Sequence, residues 1–254
     1  MIDRIAGRTA MVTGAGNGLG RAIAIGLADV GARLILVGRS RDKLESVAGE
    51  IGSNCLVATC DTADEVQVGR LARQVADENV SILVNNAGIA GPVAPLTDVD
   101  VTDWDEVFAV NVRGVFLMCR AFVPAMVDNG SGDIINVASV SGKRPLVRRT
   151  PYAASKMAVI GLTATFAHEV GRFGVNVNSL SPGPVAGPRM DRNFALDAAA
   201  TGRTPEEAEA EFVGRSALER MVTESEVADA VVAMLHMPGL CAADVDLSAG
   251  MVAR

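Results

Sequence analysis

Short apolar runs alternate with longer amphipathic ones along the first 140 residues. The runs at 9–13 (TAMVT), 33–37 (RLILV), 55–59 (CLVAT), 81–84 (SILV) and 134–137 (IINV) are four or five residues long, rich in β-branched side chains and nearly apolar throughout. Strands covered on both faces have this pattern, whereas a strand with one wet face alternates apolar and polar positions. Helical stretches fall between them, near 19–30, 41–51, 63–78 and 103–128. Alternation of this kind predicts βαβ units, right-handed crossovers and a parallel sheet, hence an α/β fold. The rhythm continues with a helix near 152–171, a strand near 175–180, a helix near 224–236 and a last strand near 244–247.

One stretch breaks the rhythm. Residues 183–222 open with GPVAGPRM, whose glycine and proline steps rule out a long regular element. An acidic, Ala-rich segment follows, with nine carboxylates and three arginines between positions 197 and 229, so short surface helices are expected. An insertion after a late strand of a nucleotide-binding sheet lies where a lid over the ligand would sit. The segment 184–222 is therefore read as a substrate lid, with a solvated acidic connector as the plainer alternative. No internal repeat or low-complexity linker divides the chain, and 1–254 reads as a single domain.

The first strand runs directly into Gly14, Ala15, Gly16, Asn17, Gly18, Leu19 and Gly20, then into an Ala-rich helix. Backbone N–H groups at a helix N-terminus bind pyrophosphate when no Cβ stands in the way. Gly14 suits the tight turn, Gly18 the close approach of phosphate, and Gly20 the packing of helix on strand. The spacing is G-x-x-x-G-x-G, not the better-known G-x-G-x-x-G. Alone it could be a structural turn; its place after the first strand favours a dinucleotide. A free ribose 2′-OH is usually met by a carboxylate at the end of the second strand. Here that strand ends with Gly38, Arg39 and Ser40, and Arg39 could clamp a 2′-phosphate bidentately. NADP(H) is favoured. NAD(H) stays open, because Asn17 stands where a second basic residue would have strengthened the phosphate reading.

Three features follow in chain order: NNAG at 85–88, Ser139 after the fifth strand, and YAASK at 152–156 at a helix start. Tyr152 and Lys156, four apart, share a helix face. An ammonium beside a phenol favours the phenolate and draws its proton affinity toward operating pH. Ser139 stands where its hydroxyl could reach the same substrate oxygen. A lone Y-x-x-x-K is a common chance pattern, but this one follows both the glycine turn and Ser139.

With TGAGNGLG, Asp61, NNAG, Asn111, Ser139, YAASK and SPGPV at 181–185, the chain resembles the short-chain dehydrogenase/reductase family along essentially its whole length. The resemblance implies a Rossmann-like, doubly wound parallel sheet of about seven strands with helices on both faces, usually assembled as a homotetramer. It makes Tyr152 the general acid/base, Ser139 the group that polarises the carbonyl, and Lys156 a partner of both Tyr152 and the nicotinamide ribose. Asn111 would hold a water linking Lys156 to solvent. Asp61 would contact the adenine, Asn86 and Gly88 would line the cofactor together with Leu19 of the glycine loop, and Pro182 and Gly183 would face the nicotinamide. Two departures stand out: AGPRM after SPGPV lacks the threonine many members place there, and the last strand reads VDLSAGM where VDGG is common.

Composition narrows the partners. A net charge of −7 disfavours nucleic acid and anionic membranes, which need dense Lys and Arg. Cys55, Cys60, Cys119 and Cys241 show no zinc spacing, and His168 and His236 are isolated, so no metal is expected. The start lacks the apolar core of a signal peptide, and no 18-residue run is wholly apolar. The chain therefore reads as a cytoplasmic enzyme acting on a small molecule. Lys143, Arg144, Arg148 and Arg149 lie between Ser139 and Tyr152, and Arg189 and Arg192 begin the lid. They could bind an anionic substrate such as a sugar acid or a 3-oxoacyl thioester, or could be plain surface charge. Two other classes compete: a nucleotide-binding regulator without turnover, and a sugar-nucleotide epimerase or dehydratase, which shares the Tyr and Lys pair.

Overall fold

Alternate residues of a strand point to opposite faces of its sheet, and here both destinations are apolar. The computed structural model describes residues 4–252. Its strands are β1 (Thr9–Thr13), β2 (Arg33–Gly38), β3 (Cys55–Thr59), β4 (Val80–Asn85), β5 (Gly132–Val137), β6 (Val175–Pro182) and β7 (Asp244–Leu247). They form one parallel sheet in the order β3-β2-β1-β4-β5-β6-β7. The helices are α1 (Gly18–Asp29), α2 (Arg41–Ile51), α3 (Glu65–Gln74), α4 (Val101–Phe108), α5 (Gly114–Asp128), α6 (Thr150–Val170), α7 (Pro188–Thr201), α8 (Pro205–Val213) and α9 (Glu224–Leu235). Ala10, Val12, Leu34 and Leu36 pack with Ile23 and Leu27 of α1, Leu44 of α2 and Val231 of α9. Met11, Ile35 and Val37 pack on the other face with Leu71 of α3, Met118 and Phe122 of α5, and Val159 of α6. The fold is the Rossmann-like, doubly wound sheet expected from the sequence.

Between β1 and β4 the strand order reverses, and ligands of such sheets bind at the carboxyl ends of the strands there. The glycine turn follows β1 and NNAG closes β4, so sequence order alone carries both to one crevice.

Several boundaries move. The expected helix at 63–78 stops at Gln74, and a 3₁₀ turn covers Ala76–Glu78. The expected helix at 103–128 is longer and is broken by a π turn at Ala109–Arg113. By length and composition the run Val101–Asp128 could cross a membrane, yet half of its most apolar window is buried. Met118, Phe122 and Met126 lie in the layer against the sheet, as in a core helix. In the 183–222 segment Pro188 opens a 14-residue helix rather than preventing one, since the first helical position needs no N–H donor. Helix α8 begins with a capping box between Thr204 and Glu207. These two helices share a small apolar cluster of their own, with Phe194 and Phe212 edge to face at 5.6 Å.

Beneath the crevice a buried amide ladder ties strands to helix. Asn85 Nδ2 donates to Asn136 Oδ1 (2.9 Å), Asn136 Nδ2 to Thr163 Oγ1 (2.9 Å), and Thr163 Oγ1 to the Val159 carbonyl (2.8 Å). Asn136 is fully buried, so Asn136→Ala strands polar atoms on both sides. Its expected cost is about 2–4 kcal/mol, read as a lower urea midpoint; a loss below about 0.5 kcal/mol would show that the ladder adds little to stability.

Candidate active site

Thr13, the last residue of β1, sets the glycine turn against NNAG. Its Oγ1 accepts the N–H groups of Asn86 and Ala87, both at 3.0 Å, while Asn86 Nδ2 donates to the Thr13 carbonyl at 2.9 Å. The Asn86 side chain thus braces the turn from the cleft wall. Gly14 and Gly18 have φ of +67° and +52°, in the left-handed region where a side chain is strained. A Cβ on Gly20 would lie 2.1 Å from the Gly14 carbonyl oxygen. The turn therefore folds onto the start of α1 with no room for a side chain. Asn17 precedes that helix, exposed, and its side chain makes no capping bond, so it does not occupy the orphan N–H groups of the first turn.

Apart from Asn111, every residue named above for catalysis or cofactor contact lines one cleft of about 1390 Å³. At one end stand Arg39, exposed and without an ion pair among the described residues, and Lys43 from the first turn of α2. Lys43 escaped the sequence reading; only its spacing of four from Arg39 hinted at it. Asp61 is half-buried there, one oxygen accepting the Ala63 N–H at 3.0 Å. Pro182 closes β6, and Gly183, whose N–H bonds the Leu247 carbonyl, is pressed against Ser248, where a Cβ would sit 2.8 Å from Cα.

At the other end, helix α6 starts at Thr150 with Pro151 in its first turn, and Tyr152 beside it lines the cleft. The buried stripe of α6 runs Pro151, Ser155, Lys156, Val159, Thr163, Ala167 and Val170, the spacing of a single helix face. Lys156 is only 6% exposed, an unusual site for an ammonium. It donates to the Val137 carbonyl at 2.8 Å and lies 5.8 Å from the Tyr152 ring centroid. Ser139 is buried, and its Oγ accepts the Ser141 N–H at 3.1 Å, which leaves its own hydrogen free to donate into the cleft. Buried charge, phenol and hydroxyl can together stabilise a negative oxygen and move a proton to it.

Asn111 stands behind this group in the π turn, 1% exposed. Its Oδ1 accepts the Ile89 N–H (2.8 Å), and its Nδ2 donates to the Ile89 carbonyl (2.9 Å) and to Ser155 Oγ (3.0 Å). Ser155 Oγ in turn donates to the Tyr152 carbonyl at 2.7 Å. Both amide hydrogens are thus spent on holding the α6 start to the loop after β4. π turns recur at functional sites, and this one aims an amide that an α-helix would point elsewhere. Gly88 fills the gap between them: a Cβ there would sit 3.1 Å from Asn111 Oδ1 and 3.5 Å from Lys156 Nζ.

The basic residues near the site divide. Lys143 is corrected: its ammonium is buried in ion pairs with Asp244 and Asp246 and is not available to a substrate. Arg149 donates to the Ala90 and Gly91 carbonyls at 3.3 and 3.2 Å. Arg148, at φ +64°, reaches the Val93 carbonyl only at 3.5 Å. Arg144 is half-buried, lines the cleft and has no side-chain partner among the described residues. Arg192 of α7 also lines it, while the Arg189 side chain lies outside the described residues. Glu211 of α8 holds both Arg203 and Arg215. Burial pushes the thiols of Cys55 and Cys60 up to about 11 and that of Cys119 up to about 12, which leaves them protonated and unreactive.

The family model for short chain dehydrogenase matches residues 8–198. Levodione reductase of Leifsonia aquatica is 35% identical over 240 residues, which span 91% of this chain and 88% of that protein. Two solved structures share the fold. An NAD⁺-bound xylitol dehydrogenase has a TM-score of 0.90 at 29% identity, covering 97% of this chain and 99% of its own. A variant of actinorhodin polyketide ketoreductase with NADPH has a TM-score of 0.91 at 30% identity, covering 99% of each chain.

Proposed function

Because the chain belongs to the short-chain dehydrogenase/reductase family, we propose that it interconverts a secondary alcohol and a ketone with NADP(H), using Tyr152 as the proton-transfer group. It is a nicotinamide-dependent oxidoreductase; the choice of cofactor and the residue roles are this reading. The observation that carries it is the buried Lys156 ammonium beside the Tyr152 ring, on the wall of a cleft that also holds a turn closed to any side chain at Gly20.

The residues present fit a dinucleotide. The Cβ-free cradle of Gly14, Gly18 and Gly20 would take the pyrophosphate, Leu19 would lie along it, Asp61 would meet the adenine, and Asn86, Gly88, Pro182 and Gly183 would flank the rest. When bound, the nicotinamide supplies or accepts the hydride. The chain's own groups do the remainder. Ser139 and Tyr152 donate hydrogen bonds to the substrate oxygen, Tyr152 gives it a proton in the reducing direction, and Lys156 stabilises the phenolate left behind. Asn111 fixes the α6 start so that these atoms stay aligned, and would hold a water that links Lys156 to solvent. The single domain 1–254, with α7 and α8 as its lid, works as a cytoplasmic homotetramer, a state that light scattering measures.

The test is absorbance at 340 nm with each cofactor against hydroxy acids, sugar acids, polyols and acyl thioesters. No change with any of them would end this reading. Arg39→Ala should lower kcat/KM for NADPH about tenfold or more and leave NADH nearly unchanged, since a charge-assisted bond is worth about 1.5–3 kcal/mol. A preference for NADH that persists in the variant would count against NADP(H).

The substrate proposed is a small anion, a sugar acid or 3-oxoacyl thioester. Arg144, a cleft cation without a side-chain partner, supports that choice in a chain of net charge −7. Arg144→Ala should raise KM for acidic substrates about tenfold, the loss of one charged contact. An unchanged KM for every acid would remove the anion from the proposal.

A further inference from the structure

Lys143 occupies a place that its charge makes costly. Its side chain is only 5% exposed, and its ammonium is held by Asp244 and Asp246. These two carboxylates are two apart on β7 and so share one face. Opposite them in register are Ser179 and Ser181 of β6. Both hydroxyls donate to Asp244 Oδ1, at 2.8 and 2.7 Å. One lysine thus closes a buried polar patch built by two strands.

The same lysine ends the turn that Ser139 begins. Gly142 N–H donates to the Ser139 carbonyl at 3.0 Å, and the Lys143 and Arg144 N–H groups donate to the Val140 carbonyl at 3.0 and 2.8 Å. With the Ser141 N–H on Ser139 Oγ, residues 139–144 form one hydrogen-bonded unit. Its other side is jammed against α6: a Cβ on Gly142 would lie 2.8 Å from the Met157 nitrogen and 3.0 Å from the Lys156 carbonyl carbon. The turn is therefore clamped between the helix that carries Tyr152 and Lys156 and the strands that end at Pro182 and Leu247.

We infer that Lys143 is a positioning residue: through its buried tie to Asp244 and Asp246 it fixes the Ser139 hydroxyl relative to Tyr152. This rests on the activity proposed above. Replacing a buried ion pair by apolar residues of similar volume is often neutral or stabilising, so stability alone gives little reason for charge here. What charge adds is direction. An ammonium locked by two carboxylates allows fewer arrangements than a greasy contact, and small displacements of an aligned group are costly to rate.

Lys143→Met leaves two half-buried carboxylates without their cation, a cost to folding; the second variant, Lys143→Met with Asp244→Asn, keeps an acceptor for Ser179 and Ser181 and removes one of those charges. Turnover is expressed per cofactor-binding site, counted by fluorescence titration, so that loss of folded protein does not count as loss of rate. The expected result is a fall in kcat per site of at least tenfold, with cofactor Kd within twofold of wild type. The same change made in a Ser139→Ala background should cost less than twofold, because the group it positions is already gone. A kcat per site within twofold of wild type would overturn the inference. So would an equal loss with and without Ser139. Wild-type turnover, measured alongside, is the separate test of the activity itself.

Discussion

Tyr152→Phe should lower kcat by about 10³-fold while cofactor Kd stays within about threefold. General acid–base groups contribute roughly 10²–10⁴-fold, and this phenol is proposed both to donate the proton and to orient the substrate oxygen. The substitution keeps the ring, its helix position in α6 and its packing beside the Lys156 ammonium, 5.8 Å from the ring centroid. Only the hydroxyl is lost. The cofactor contacts proposed for Gly14, Gly18, Gly20 and Arg39 lie in the turn after β1, at the start of α1 and just after β2, and do not depend on it. Steady-state kcat and a fluorescence titration of NADPH read the two quantities separately. A variant that keeps near-normal kcat would remove Tyr152 from the chemistry, and with it the role given to Lys156.

Much of the fold was readable because the central strands β1, β2 and β4 are nearly apolar on both faces, a pattern few other elements share. TAMVT and RLILV send alternate residues to two different cores, and the sequence carries that directly. Strand ends were harder to read, since polar residues can finish a strand when they serve the site. Asn85 closes β4 and Ser181 and Pro182 close β6, each beyond the apolar run that announced the strand. The π turn at Ala109–Arg113 left no trace, because its i→i−5 bond, Gly114 N–H to the Ala109 carbonyl, depends on packing and not on composition. Asn111 could be named by resemblance, but its bonds to Ile89 and Ser155 join segments more than 20 residues apart. Lys143 failed for the same reason. Read locally it was one of four cations beside the catalytic residues, and its partners Asp244 and Asp246 lie a hundred residues downstream. Local charge pattern cannot tell a free cation from a satisfied one; long-range pairing decides it.

The glycine turn permits a sharper experiment than its spacing alone would. Gly20→Ala should lower cofactor affinity on the order of a hundredfold, equivalent to about 2.8 kcal/mol, and lower stability by about 1–3 kcal/mol. The added methyl would stand 2.1 Å from the Gly14 carbonyl oxygen and 2.6 Å from Asn86 Nδ2. The first of these is backbone and cannot rotate away. Either α1 retreats from the turn or Gly14 shifts, and Gly14 is itself hemmed in by Asn86 and Ala87, which would lie 3.0 Å from a Cβ there. Both responses move the N–H groups proposed to meet the pyrophosphate, so binding suffers along with packing. Gly49→Ala is the matched control. It lies in α2 with nothing within 4 Å of a new Cβ, and alanine should stabilise the helix by about 0.5–1 kcal/mol with no change in cofactor Kd. If Gly20→Ala bound NADPH within threefold of wild type, the turn would not be the phosphate cradle, whatever its glycine count.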